Sequence, residues 1–182
     1  LELYTAEDLY MSENDVRFTE LIQELLYEDF TIYHSAKYGY EPEEDDPSEY
    51  MNIPVLRSAE LVLMRAEINA VNGQLSAALS DLNMILERAG HTALSPPIQQ
   101  ARLIELIAIE RMKELDMEGD RFYNWKRMGA YNTEVFALYP AVVYSRLERD
   151  GTSYDWDSQE SLARIPQDEM NGNPALGPED QN

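Results

Sequence analysis

The chain has no cysteine, only two histidines, and 14 basic residues against 35 acidic ones. Each shortage removes a class of chemistry. Without cysteine there can be no disulfide, no thiolate nucleophile and no lipid-acceptor thiol within these residues. His34 and His91 lie far apart and share no motif, so no His-Glu-x-x-His zinc pattern exists and each reads as a surface or loop residue. The formal charge of −21 argues against nucleic acid and anionic membrane surfaces as direct partners. Apolar runs are broken by charge within about ten residues, short of the ~20 needed to cross a bilayer. The first residues, LELYTAEDLYMSEND, have neither the basic nor the apolar region of an export signal. There is no glycine-rich phosphate loop and no Gly-x-Ser-x-Gly.

What the sequence does have is charge in an unexpected place. Leu103, Ile104, Leu106 and Ile107 form an apolar stripe at helical spacing, and steps of three and four carry it on to Glu110, Arg111, Glu114, Leu115 and Glu118. Carboxylates and a guanidinium on a buried face are costly unless paired. The expectation is a structural ion-pair network over Glu110, Arg111, Glu114, Glu118, Arg121 and Arg127, with Arg111, Arg121 or Arg127 forked against the glutamates. The competing reading makes the glutamates general acid and base, or metal ligands. Several basic residues nearby and no histidine weigh against it, and ion pairs perturb pKa values without implying chemistry. No catalytic or metal-binding residue is assigned.

In chain order, Thr5 to Met11 fits a short helical turn, and Asp15 can cap a helix in which Phe18, Leu21, Ile22, Leu25 and Leu26 recur at amphipathic spacing, ending near Asp29. FTIYHSAKYGY, Phe30 to Tyr40, suits a short strand or extended segment. EPEEDDPSEY is an exposed acidic loop. Val55 to Val71 reads as a helix with a small-residue stripe of Val55, Ala59, Val62, Ala66 and Ala70, closed by Asn72-Gly73. Leu75 to Ala89 is its antiparallel partner. Ile98 to Met117 is a long helix; Gly119 then allows a bend, and Asp120 starts a short helix that Gly129 ends. Tyr131 to Tyr144 suggests a buried connection of mixed structure, Asp150-Gly151 a tight turn joining two short strands, and 171–182 an extended tail. No cofactor is called for; the acidic loop, and Asp150 with Asp155 and Asp157, are imperfect Ca²⁺ candidates against plain loops. Tyr38, Tyr40, Tyr50 and Trp156 flank these loops and are the ligand-binding candidates, since exposed rings stack on sugar faces.

At Glu110-Arg111, Glu114-Leu115, Glu118-Gly119 and Arg121 the pattern resembles the C-terminal signature of the SusD/RagB family of outer-membrane nutrient-binding lipoproteins. Further segments agree in order: Asp15-x-Arg17, Lys37-Tyr38, Arg57-Ser58-Ala59-Glu60 with Arg65-Ala66-Glu67, Asn83 to Arg88-Ala89-Gly90, and Ile165-Pro166 to Asn173-Pro174. The pair 57–90 also resembles one tetratricopeptide unit, with Ala66, Gly73 and Ala78 at its small positions.

The resemblance implies a mostly α fold of helix pairs with irregular loops and little β. It implies a single C-terminal SusD/RagB-like region over 1–182, with 98–129 as its helical signature segment. The family's function would be non-catalytic capture of glycans or peptides on the extracellular face of the outer membrane. Its partners would be a SusC/RagA-like TonB-dependent transporter, the N-terminal part of the same protein and the nutrient, with the lipid anchor outside this sequence. The alternative reading is a helical-repeat protein–protein adaptor without a nutrient ligand.

Overall fold

The computed structural model describes residues 15–27, 30–37, 55–134, 147–149, 152–154 and 166–172. In chain order these form α1 (Val16–Leu21), β1 (Ile22–Tyr27), β2 (Phe30–Ser35), α2 (Ser58–Val71), α3 (Leu75–Arg88), α4 (Gln100–Glu114), α5 (Asp120–Glu134), β3 (Leu147–Arg149), β4 (Thr152–Tyr154) and α6 (Gln167–Gly172). The fold is mostly α, with two short antiparallel hairpins, β1–β2 and β3–β4.

The centre is the α2–α3 pair. Gly73 at φ +76 turns the chain, and the amides of Gly73 and Gln74 close onto the carbonyls of Ala70 and Asn69, which satisfies the orphan acceptors of α2. Arg65 and Asp81, equally distant from Gly73 in sequence, bond across the two helices at 2.7 and 2.9 Å, as an antiparallel arrangement requires. Ala59, Ala66, Ala70 and Ala78 are buried at the contact, and their small size lets the backbones approach. Leu63, Leu79, Leu82 and Ile85 fill the space between them, and α4 lays Leu103, Ile104, Ile107 and Ala108 over the pair. Gln100 Nε2 donates to the carbonyls of Ala70 and Val71, which fixes the start of α4 at the end of α2. Asn83 both donates to and accepts from the Leu94 backbone, pinning the loop that follows α3. Met128 of α5 is buried in this core, and Trp125 of the same helix is fully buried.

Several boundaries differ from expectation. The helix capped by Asp15 is only six residues long, and Ile22 to Tyr27 instead pair with Phe30 to Ser35 from Ile22↔Ser35 to Tyr27↔Phe30. The β-branched and aromatic partner strand competes for these residues, and Leu26, placed on the helical apolar stripe, is 80% exposed. Val55 and Leu56 precede α2 and are exposed, so the stripe begins at Ala59. The long helix stops at Glu114, and α5 runs through Gly129 to Glu134. Asn171 and Gly172 complete α6, so the expected extended tail does not begin at 171. β3 and β4 pair from Leu147↔Tyr154 to Arg149↔Thr152 on either side of Asp150-Gly151. Among the described residues, no helix is long and apolar enough to cross a membrane. The expected turn at Thr5 to Met11, the acidic loop, both Ca²⁺ candidates and the connection beyond Glu134 lie outside the described residues.

Candidate functional site

The last turn of α4 and the bend after it carry the charged face, and the bend is built from backbone conformation. Met117 and Gly119, in the turn between α4 and α5, both have positive φ, at 62° and 76°. The carbonyls left unpaired by this ending need donors. Lys37 Nζ reaches the Glu114 carbonyl at 2.5 Å and that of Asp116 at 3.4 Å, and Arg57 Nη2 reaches Glu114 at 2.6 Å. Cations are thus placed where the helix dipole is negative.

The same cations hold the glutamate side chains. Glu114, with its side chain 2% exposed, meets three guanidiniums: Arg57 Nη1 at 3.2 Å, Arg17 Nη1 at 3.3 Å, and Arg88 Nη2 in hydrogen-bond contact. Glu118 takes Arg57 through Nε at 3.1 Å and Nη2 at 2.8 Å, and also bonds Lys37 Nζ. Glu110 Oε1 lies 2.7 Å from Arg17 Nη2, a close ionic contact outside hydrogen-bond geometry, and its Oε2 is 3.9 Å from Lys113 Nζ.

Arg17 is positioned from below by Asp15. The Asp15 carboxylate caps α1 through the Arg17 amide, forks with Arg17 Nε and Nη2 at 2.9 and 2.7 Å, and takes His91 Nε2 at 2.8 Å. The Val16 amide donates to the Ala89 carbonyl, so α1 is anchored on the end of α3, beside Arg88. His91 lies in the loop after α3, as expected, and is in addition a tether to a fully buried aspartate.

The electrostatics follow from this crowding. Burial alone would raise the Glu114 pKa, but Arg88, Arg57 and Arg17 outweigh it and hold the carboxyl below its ordinary value. Asp15 behaves alike, burial opposing and Arg17 with His91 prevailing. Burial would lower the Arg17 pKa, yet Asp15 and Glu110 raise it. Burial pushes the Lys37 ammonium below its ordinary value against the pull of Glu118. Glu114 and Asp15 are therefore fixed anions at neutral pH, poor proton donors and strong structural acceptors. A cavity of about 260 Å³ lies beside them, with Arg17, Lys37, Arg57, Arg88 and Lys113 in its wall. Among the described residues, no group of three or more His, Asp or Glu side chains is arranged to hold a metal.

The pairing expected from sequence is corrected here. Glu110, Glu114 and Glu118 come together, but their cations come from α1, the end of β2, the start of α2 and the end of α3, and not from Arg111, Arg121 or Arg127. Arg111 instead forks with Asp120 at 3.0 and 2.8 Å and reaches Glu60 at 3.1 Å, joining α4, α5 and α2. Arg127 forks with Glu67 at 2.8 and 3.0 Å and with Asn124. Arg121 lies in the first turn of α5. Local spacing could not show Arg17, Lys37, Arg57 and Arg88 as the partners of Glu114 and Glu118, because those pairs span dozens of residues. One signal was present: Asp15, Arg17, Lys37, Arg57 and Arg88 all belong to the separate motif segments that carry the resemblance. Tyr38, Tyr40, Tyr50 and Trp156 lie outside the described residues.

Comparison with known proteins agrees with this convergence. No curated protein and no solved structure matches the chain. The family described as the SusD family matches residues 23–182, which takes in every helix described here except α1. The chain belongs to the SusD family.

Proposed function

We propose that this chain serves in non-catalytic capture of a glycan or peptide at the cell surface, and that the captured ligand passes to a SusC/RagA-like TonB-dependent transporter in the outer membrane. Membership of the SusD family is consistent with nutrient binding at the cell surface, and that membership carries the reading. The charged face supports the non-catalytic part. Glu114 and Glu118 are each held by two or more cations and Glu110 is flanked by Arg17 and Lys113, a use of carboxylates that secures a scaffold. A general acid needs a proton near neutral pH, and the arginines around Glu114 act in the opposite sense. In this reading a lipid anchor holds the protein on the extracellular face, Ca²⁺ is not required, and the aromatic residues Tyr38, Tyr40, Tyr50 and Trp156 contact ligand.

The test is titration calorimetry on the complete gene product with panels of oligosaccharides and peptides, followed by chromatography of the ligand after incubation. Saturable heat with an unchanged ligand is the expected result. Failure with every nutrient class, or recovery of a cleaved ligand, overturns the reading. Delivery is tested separately by co-purification with a TonB-dependent transporter from membranes.

A further inference from the structure

The turn that closes α2 onto α3 reads Val71-Asn72-Gly73-Gln74. An asparagine followed by glycine leaves its side-chain amide open to the next backbone nitrogen, because glycine has no Cβ to shield that nitrogen. Asn72, Gly73 and Gln74 are all exposed, and a Cβ added at Gly73 would have nothing within 4 Å. Among the described residues, no hydrogen bond holds the Asn72 side chain, whereas Asn69 donates to Asp81 at 3.4 Å and Asn83 is bonded twice to the Leu94 backbone. Asn72 is thus the asparagine of the helix pair whose amide is free to turn.

The backbone restrains what the side chain is free to do. The Asn72 amide donates to the Ile68 carbonyl and the Gly73 amide to that of Ala70, both at 3.1 Å, and the Gln74 amide donates to that of Asn69 at 2.8 Å. Closing a five-membered ring needs the Gly73 nitrogen and Asn72 Cγ near one plane with the atoms between them, and Asn72 at ψ 5° keeps them apart. Gln100 adds a clamp from α4. Its Nε2 donates to the carbonyls of Ala70 and Val71 at 2.8 and 3.1 Å, so the Ala70 carbonyl holds the Gly73 amide and Gln100 together. Ring closure therefore waits on local opening of the turn, an event short of global unfolding whose frequency these bonds set.

We propose that Asn72 is a self-modification site of this chain, gated by the Gln100 clamp. When the turn opens, the Gly73 nitrogen gives its proton to hydroxide and bonds to Asn72 Cγ. The Cγ–Nδ2 bond breaks, and the leaving nitrogen takes a proton from water and departs as ammonia, which returns the hydroxide. Water then opens either carbonyl of the cyclic imide, giving an aspartyl or an isoaspartyl linkage. Either product sets a carboxylate beside the last carbonyls of α2, where the helix dipole is already negative. The isoaspartyl form also adds a backbone carbon between positions 72 and 73, which shifts the amides that bond Ala70 and Asn69. The joint at the centre of the fold loosens, and no group in the chain restores the lost amide. The inference is independent of nutrient capture.

The test incubates the whole chain at mildly alkaline pH, folded and in guanidinium chloride, and follows the tryptic peptide 66–88 by mass spectrometry, with Asn69 and Asn83 in the same peptide as internal references. Conversion confined to Asn72, in aspartyl and isoaspartyl forms, is expected in the folded chain, faster when unfolded, and lost in Asn72→Gln. Gln100→Ala, its fold checked by circular dichroism, should speed conversion of the folded chain about fivefold, the effect of one lost hydrogen bond on the opening equilibrium. Asn72 left intact in the folded chain while the unfolded chain converts, equal conversion at Asn69 or Asn83, or a rate unchanged by Gln100→Ala each overturns the proposal. Should Gln100→Ala fail to fold, the unsubstituted chain decides: slower conversion when folded supports the gate, and equal rates folded and unfolded overturn it.

Discussion

Glu114 collects Arg17, Arg57 and Arg88 on one buried carboxylate, and the energetic meaning of that arrangement lies in what its removal leaves behind. Glu114→Gln keeps the shape but strands the buried Arg17 guanidinium, whereas the half-exposed Arg88 can turn to solvent. Urea unfolding at neutral pH should show a loss of about 3–5 kcal/mol, the cost of breaking a buried pair from one side. A loss under about 0.5 kcal/mol would mean that the arginines simply turn to solvent. The acid response follows from the same residues. Glu114 and Asp15 have pKa values lowered in the folded chain, so the unfolded chain binds protons first as pH falls. Their contribution is complete above the ordinary values, 4.5 and 3.8, and is lost as pH drops through the lower folded ones. Stability measured against pH should therefore fall on that limb, and Glu114→Gln should make the limb shallower. A limb of unchanged slope would assign the acid sensitivity to other groups.

At the scale of an element, the bend from α4 to α5 decides where the charged face points. Gly119 has φ +76 and nothing within 4 Å of an added Cβ, so Gly119→Ala tests backbone strain without a steric clash. A loss of about 1–2 kcal/mol is expected, the cost of placing an L side chain in the left-handed region. Met117 sits in that region already, exposed at φ 62. Met117→Gly should be neutral or stabilising by up to about 1 kcal/mol in the same urea assay, because relief of strain offsets the added freedom of the unfolded chain. The two faces of α2 offer a second comparison. Leu63→Ala should cost about 2–5 kcal/mol by leaving a cavity in the core, whereas Leu61→Ala on the exposed face should change stability little. Equal losses would mean that the exposed face is covered in the isolated chain.

For the whole molecule, the net charge of −21 and the neutralised interior respond to salt in opposite ways. Raising ionic strength from about 0.01 M to about 0.15 M shortens the screening length from roughly 30 Å to roughly 8 Å. That relieves repulsion among surface carboxylates but hardly touches pairs as buried as Arg17 with Asp15. Thermal melting should therefore shift upward over this range, by about 2–4 °C for each kcal/mol of repulsion removed. A downward shift would show that solvent-facing pairs such as Arg102 with Glu105 outweigh the net repulsion.

The sequence by itself determined the helix pair, its small-residue seam and glycine closure, because these depend on periodicity and local backbone preference alone. It also determined that Glu110 and Glu114 lie on a buried face, since they fall in step with Leu103 and Ile107, and the motif order marked the family. Only the tertiary structure decided which cations answer them. Charge attracts from any direction, and nothing in local spacing says that Arg17, Lys37, Arg57 and Arg88 arrive together at the end of α4. The same holds for Ile22 to Tyr27, whose helical pattern gave way to a strand because Phe30 to Ser35 supplied a partner, a choice that chain pairing makes and periodicity cannot.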